Sequence, residues 1–339
     1  MLTSSAAVGV VAVVIAYVTA HHYLQVEWVI DAPLPVVWWV LGAALGVLGM
    51  PLLITALGRE VVRLAGPENQ PWRRLLVGWV LPLLAAHVVW LGLTLVLLRR
   101  FNPGITGIPA RTVAEIVPLV LLPPPELSLL WSLALAPVVV GLTQRLPVGA
   151  VVVGLAALTL LTTAPTFLVF LVIGMRSGAA IDRLAETATW RSLAPYGAVA
   201  LVGAAVLGVP RFPDGLGVLV AGLAVLPFVL TLVAKLGGAR PSSRATGQVG
   251  AAAIATYLLL IPVLALFDRV LLARLGYVGP GPQYAVALVE PLALAAVVVG
   301  CGVVATAVVR LVVRRTRDRG AGQAPAAVDR SPVLAEVDR

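Results

Sequence analysis

The chain has 339 residues, 60% of them hydrophobic, with a mean hydropathy of +1.03 and a formal net charge of +9. Soluble domains are only about 45–50% apolar and carry about twice the 12% of charged residues present here, which excludes a globular domain in water. Apolar runs of about 20 residues suit helices crossing ~30 Å of hydrocarbon, not the alternating strands of a barrel. The arginines lie between those runs and in the tail, where a membrane topology puts them, so the positive charge does not indicate nucleic-acid binding.

The composition therefore predicts an all-α, polytopic membrane bundle of about ten transmembrane helices, nine if one fails to cross, without a sizeable soluble domain. Apolar segments fall at 4–22, 36–57, 75–98, 105–122, 127–144, 149–173, 195–210, 216–236, 248–270 and 284–313. Residues 1–313 make a single bundle. Residues 314–339 form a basic cytoplasmic tail, too poor in apolar residues to fold.

The first segment ends in small residues, "AYVTA", but its first five positions carry no Lys or Arg. A secretory signal has a basic start, so this is read as a retained helix. The outer loop that follows holds His21, His22, Glu27 and Asp31. These residue types bind metals, but no HxxxH or HExxH spacing is present, and no metal is expected. With Tyr23, Trp28, Trp38 and Trp39 the stretch reads as an interfacial belt. His87 lies within the third segment, in "LLAAHVVWLGL". An ionisable group inside a span is a functional candidate, here for a proton or hydrogen-bond role. The plainer reading is a neutral imidazole bonded to a neighbouring helix.

Segment 105–122, "ITGIPARTVAEIVPLVLL", is short and holds Arg111 and Glu115, which share a helix face four residues apart. It runs into "LLPPPELSLL". Three prolines leave few unsatisfied donors, and the stretch reads as a turn close to the cytoplasmic interface. Glu126 then starts the next helix, where a carboxylate suits the dipole. Short, proline-interrupted segments point to binding sites in transporters, although Pro51, Pro82, Pro137, Pro165, Pro227 and Pro262 show that proline is common throughout.

Residues 174–194 include "RSGAAIDRLAETATWRSLAP", which suits a short amphipathic helix lying on the membrane or docking a cytoplasmic partner. The sequences around Pro82 and Pro227 align, which is compatible with a 5+5 repeat whose second half is inverted. Asp268 and Glu290 flank the last outer loop, with Arg269 and Arg274 nearby. They read as interfacial ion pairs or as an outer vestibule for a charged solute. Cys301, the only cysteine, lies between Gly300 and Gly302 and reads as a packing residue.

With ten crossings and a cytoplasmic N-terminus, inner connections carry 16 basic residues and outer ones 5. With 105–122 not crossing the split is 15 to 7. The larger bias supports ten crossings with both termini inside; in the alternative the first half flips and the N-terminus lies outside. The chain lacks DxxxD, HExxH, G-x-S-x-G and P-loop motifs, and no cofactor is expected. It reads as a transporter or permease subunit moving a small solute across the cytoplasmic membrane. Arg111, Glu115, Glu126 and His87 would be path or gate residues, and membrane lipids its surroundings. Two rivals are a membrane-embedded enzyme of lipid or isoprenoid metabolism and a non-catalytic anchor of a larger complex.

Overall fold

The computed structural model describes residues 2–22, 26, 33–65, 71–101, 113–124, 127–208, 214–237, 244–272, 274 and 279–321. All regular structure among them is helical. In chain order the helices are α1 (Leu2–His21), α2 (Val36–Ala65) and α3, whose parts Trp72–Leu75 and Leu81–Phe101 flank a π-turn at Leu76–Val80. Next come α4 (Val113–Leu121), α5 (Leu129–Leu142), α6 (Val148–Leu158), α7 (Pro165–Arg176) and α8 (Gly178–Glu186). The last are α9 (Trp190–Ala205), α10 (Asp214–Gly237), α11 (Arg244–Ala251), α12 (Ala253–Phe267) with a π-turn at Asp268–Leu272, and α13 (Pro280–Ala321).

Six of these are long and apolar enough to cross a membrane: α1, α2, α3, α10, α12 with its π-turn, and α13. The chain is thus a multi-pass helical membrane protein. Valines and leucines such as Val89, Val96, Leu201 and Val304 are more than half exposed. Such a surface suits lipid tails and would be a liability in water.

Contacts between helices fix their directions. Gly9 lies against Leu53, Gly49 against Ala12 and Gly42 against Thr19, so α1 and α2 are antiparallel. Small residues let the two backbones approach, the usual basis of packing in lipid. Gly222 touches both Pro51 and Phe170, and Arg59 further along α2 reaches Gly178 and Asp182 beyond α7, so α7 runs parallel to α2; where they cross, Gly58 meets the Leu171 carbonyl and Gly174 the Thr55 carbonyl. Gly222 packs on Phe170 and Gly215 on Thr163, which aligns α10 with α7; Gly203 against Ala224 makes α9 antiparallel to α10. Gly302 against Thr256 makes α13 antiparallel to α12. One end of the bundle therefore gathers Arg59, Arg63, Arg176, Arg183, Arg191 and Lys235, together with the start of α1. The histidines at the end of α1 mark the other end.

Two sequence segments differ from single spans. Residues 149–173 form a hairpin, α6 and α7, that leaves and rejoins the arginine-rich end. Arg176, at the end of α7, donates to the carbonyls of Thr143 at 3.0 Å and Leu146 at 2.7 Å, just before α6. Eleven or twelve residues reach only ~18 Å, too short for ~30 Å of hydrocarbon. In 105–122 the described helix is α4, nine residues long. The turn at Pro123 and Pro124 behind it lies near Leu127, which clusters with Leu91, Ile261 and Ala265. That places it ~21 Å, the length of α5, from the arginine-rich end, rather than at the interface of that end. Residues 105–112 lie outside the described residues; Pro118 is accommodated within the helix, which stops at Leu121 ahead of Pro123. At the other terminus, helix continues past 313 to Ala321; residues 322–339 of the expected tail lie outside the described residues.

Prolines inside helices leave the carbonyl four residues earlier without its amide, a costly group in hydrocarbon. Pro137 frees Leu133, and the Trp79 indole donates to that carbonyl at 3.0 Å. Pro262 frees Leu258, and the Trp90 indole donates to it at 3.1 Å. Both indoles lie on α3, three turns apart, and tie this peripheral helix to α5 and α12.

In the 174–194 loop, α8 exposes Asp182, which receives Arg59 Nη1 and Nη2 at 2.7 and 2.8 Å. These hydrogen bonds, opposed by slight desolvation and aided by the charge of Arg59, hold the Asp182 carboxyl below the usual carboxylate range.

Trp90→Phe is expected to cost about 1–3 kcal/mol of stability in detergent unfolding, since it leaves the Leu258 carbonyl unpaired. In a Pro262→Ala background, which returns an amide to that carbonyl, the same change should cost less than half as much. A pH effect should follow from Asp182. Its depressed carboxyl stabilises the folded state above about pH 4, and this is lost as pH falls through the lower folded value. With the side chain 51% exposed, the effect should stay below about 1 kcal/mol. Proteolysis of the 174–194 loop should rise on that acidification, and Asp182→Asn should show the raised rate already at neutral pH.

Candidate functional site

The end opposite the arginines holds four titratable side chains that the sequence scatters over 270 positions. Apolar on all its faces, α1 is a central helix; Val10, Val13, Val14 and Val18 are buried along it. Its last residues deliver His21 and His22 to the ends of α12 and α13. His21 Nε2 lies 2.7 Å from Asp268 Oδ1, and His22 Nδ1 lies 2.6 Å from Glu290 Oε2. Asp268 opens the π-turn that closes α12. Such turns aim a side chain off the regular helical position and recur at functional sites. Phe267 packs edge-on against the His21 ring, centroids 6.5 Å apart.

Both pairs are removed from solvent. Side-chain exposures are 4% and 7% for His21 and Asp268, and 0% and 5% for His22 and Glu290. A lone charge here would be prohibitive, and each carboxylate instead has an imidazole within hydrogen-bonding distance. The pairs stand at the edge of the hydrocarbon, not its middle. From Arg310, the first arginine of α13, back to Glu290 is 20 residues, or ~30 Å of helix, the full hydrocarbon thickness. His22 Nε2 and Glu290 Oε1 have no hydrogen-bond partner. Each keeps unused capacity for a proton or a polar ligand. Among the described residues no three His, Cys, Asp or Glu side chains converge as metal ligands.

Asp268 and Glu290, expected as an outer vestibule, are thus brought together with His21 and His22, which the sequence suggested as part of an aromatic belt. Local sequence offered Arg269 and Arg274 as partners; both are exposed. The histidine partners come from the other end of the chain. Trp38 does not simply sit at the interface: its indole donates to Leu288 O at 3.0 Å, three residues before Pro291.

His87 lies apart from this cluster. It is fully buried on the inner face of α3, against the carbonyls of Leu119 and Val120. Neither ring nitrogen reaches hydrogen-bonding geometry. Those carbonyls are the ones that Pro123 and Pro124, four residues on, cannot serve. They also belong to the negative end of α4, so a donor is favoured there. Glu115 is exposed in the first turn of α4, the favourable end for a carboxylate. Arg111 and Glu126 lie outside the described residues, as do Glu27 and Asp31.

Glu290→Ala removes one partner of a buried pair and is expected to cost about 3–5 kcal/mol, read as detergent thermal unfolding. His22→Leu combined with Glu290→Leu should recover most of that loss, because no polar atom is left stranded. Additive losses in the double variant would show that the two side chains do not interact. No protein family matches the chain, and no curated protein or solved structure does so either.

Proposed function

We propose that the chain is a transporter or permease subunit that moves a small solute across the cytoplasmic membrane. In this reading its arginine-rich end and both termini face the cytoplasm, and the His21–Asp268 and His22–Glu290 pairs serve as protonation sites at the outer mouth of the path. The observation that carries the proposal is the gathering of four buried titratable groups from three helices. Ionisable groups kept inside a membrane bundle mark solute or proton pathways, and histidine exchanges protons near neutral pH. The positive-inside bias supports the orientation, and Arg145 adds to it, since it sits in the turn before α6 next to the Leu146 carbonyl that Arg176 binds.

Eight crossings fit these directions: α1, α2, α3, α5 together with the chain leading into it, α9, α10, α12 and α13, with α6–α7 as a hairpin. This replaces the ten-span count as the topology proposed. Short and broken helices of this kind line substrate sites in transporters. His87 and Glu115, on α3 and α4, act there as path or gate residues, and Arg111 and Glu126, next to α4 in sequence, are proposed for the same role. The 174–194 loop, pinned by Arg59 to Asp182, presents α8 to a cytoplasmic partner.

The test is uptake in cells expressing the chain, using a panel of radiolabelled amino acids, sugars, organic acids and amines. At least one solute should accumulate above the vector control, and a protonophore should abolish the accumulation. Glu290→Gln should lower it at least tenfold at equal membrane abundance, and Glu115→Gln should lower it as well. No accumulation of any solute would remove the transport reading. Uptake that is unchanged in Glu290→Gln would remove the pair from the path.

A further inference from the structure

An apolar groove of about 800 Å³ runs between α12, with its π-turn, and α13. Its walls include Val263, Phe267, Val270, Val289, Val297 and Cys301. Among the described residues Glu290 is the only carboxylate lining it. That residue is 6% exposed; one carboxyl oxygen is held by His22 at 2.6 Å, and the other, Oε1, has no partner. An almost wholly apolar cleft of this size with one placed polar group is the usual form of a small-molecule site.

We propose that this groove binds a single-chain amphiphile with a hydroxyl head, the hydroxyl donating to Glu290 Oε1 and the chain lying along α13. The inference goes beyond the transport reading and does not depend on it. Three features argue for this occupant. The first is depth: Glu290 stands at the edge of the hydrocarbon, where a lipid head group sits, ~30 Å of helix from Arg310. The second is length. From Glu290 to Cys301 is eleven residues, or ~16 Å along the helix, half the hydrocarbon core and so the depth of one leaflet. The third is hydrogen-bonding character. His22 occupies Oε2 of Glu290 and leaves Oε1 without a partner, a carboxyl oxygen that can accept a hydrogen bond. A neutral donor matches it, whereas an anionic head would be repelled by the carboxylate.

The test uses the full chain in phosphatidylcholine vesicles with a diazirine-bearing hexadecanol as photolabel. Label should concentrate on peptides covering 263–271 and 285–301. Unlabelled hexadecanol should compete about tenfold better than hexadecane, the ratio that one hydrogen bond to a buried carboxylate supports. Glu290→Leu should bring that ratio close to one. Val297→Trp, at a position 53% exposed and away from the ion pair, should fill the groove and cut labelling of both peptides at least tenfold while leaving thermal stability unchanged. If Glu290→Leu does not fold, the Val297→Trp result and the alcohol-to-alkane ratio in the unaltered chain still decide the matter. Label spread evenly over the lipid-facing sides of α3 and α9, or equal competition by hexadecane, would overturn the proposal and leave the groove as ordinary contact with bulk lipid.

Discussion

Every carbonyl in hydrocarbon needs a donor, and in this chain proline repeatedly takes that donor away. The fold is organised around the replacements. Trp79 serves the carbonyl stranded by Pro137, and Trp90 serves the one stranded by Pro262. Arg176 closes the end of α5 and the start of α6 by the same logic, a cation meeting carbonyls at the negative end of a helix dipole. His87 stands beside the carbonyls that the Pro-Pro-Pro turn leaves open. Tertiary structure here follows backbone satisfaction as much as it follows apolar packing. The reason is that lipid offers no competing hydrogen bonds and no strong hydrophobic drive between helices.

The same constraint explains where charge is tolerated. Arginines collect at one end, where water and head groups solvate them. At the other end the two histidine–carboxylate pairs are enclosed by protein, each carboxylate hydrogen-bonded to an imidazole. Enclosure gives them their functional interest. A His–carboxylate pair on a wet surface would be a minor ornament of the interface, but a buried one resists loss of either member and responds to the gain or loss of a single proton. The central position of α1 makes this arrangement possible, because only a helix apolar on every side can run through the bundle and deliver two polar residues at its end.

Much of this was legible in the sequence. Apolar run lengths gave the membrane class, and the arginine distribution separated the two ends. Parity along the chain put His21, His22, Asp268 and Glu290 on one side, since they close the first and next-to-last runs and open the last. Their pairing was not legible, because it depends on which helices are neighbours, and apolar segments look alike. The arithmetic of proline identifies Leu133 and Leu258 as stranded carbonyls from sequence alone. It does not say that Trp79 and Trp90 serve them. The segment at 149–173 misled for a physical reason. A run of apolar residues has the same composition whether it passes straight through or folds back, and the turn at Thr159–Ala164 carries no charge to mark it.

The fold-back of α6 and α7 has a bearing on how such a chain could change over generations. An element that departs from and comes home to the same side adds nothing to the alternation of direction along the polypeptide. It could be lengthened, shortened or lost without turning any later helix upside down, whereas removal of one true span would invert all that follows. Variation in this part of the architecture is therefore cheap in topology, and Arg176, which stitches the two feet of the loop together, is the residue that makes it a closed unit.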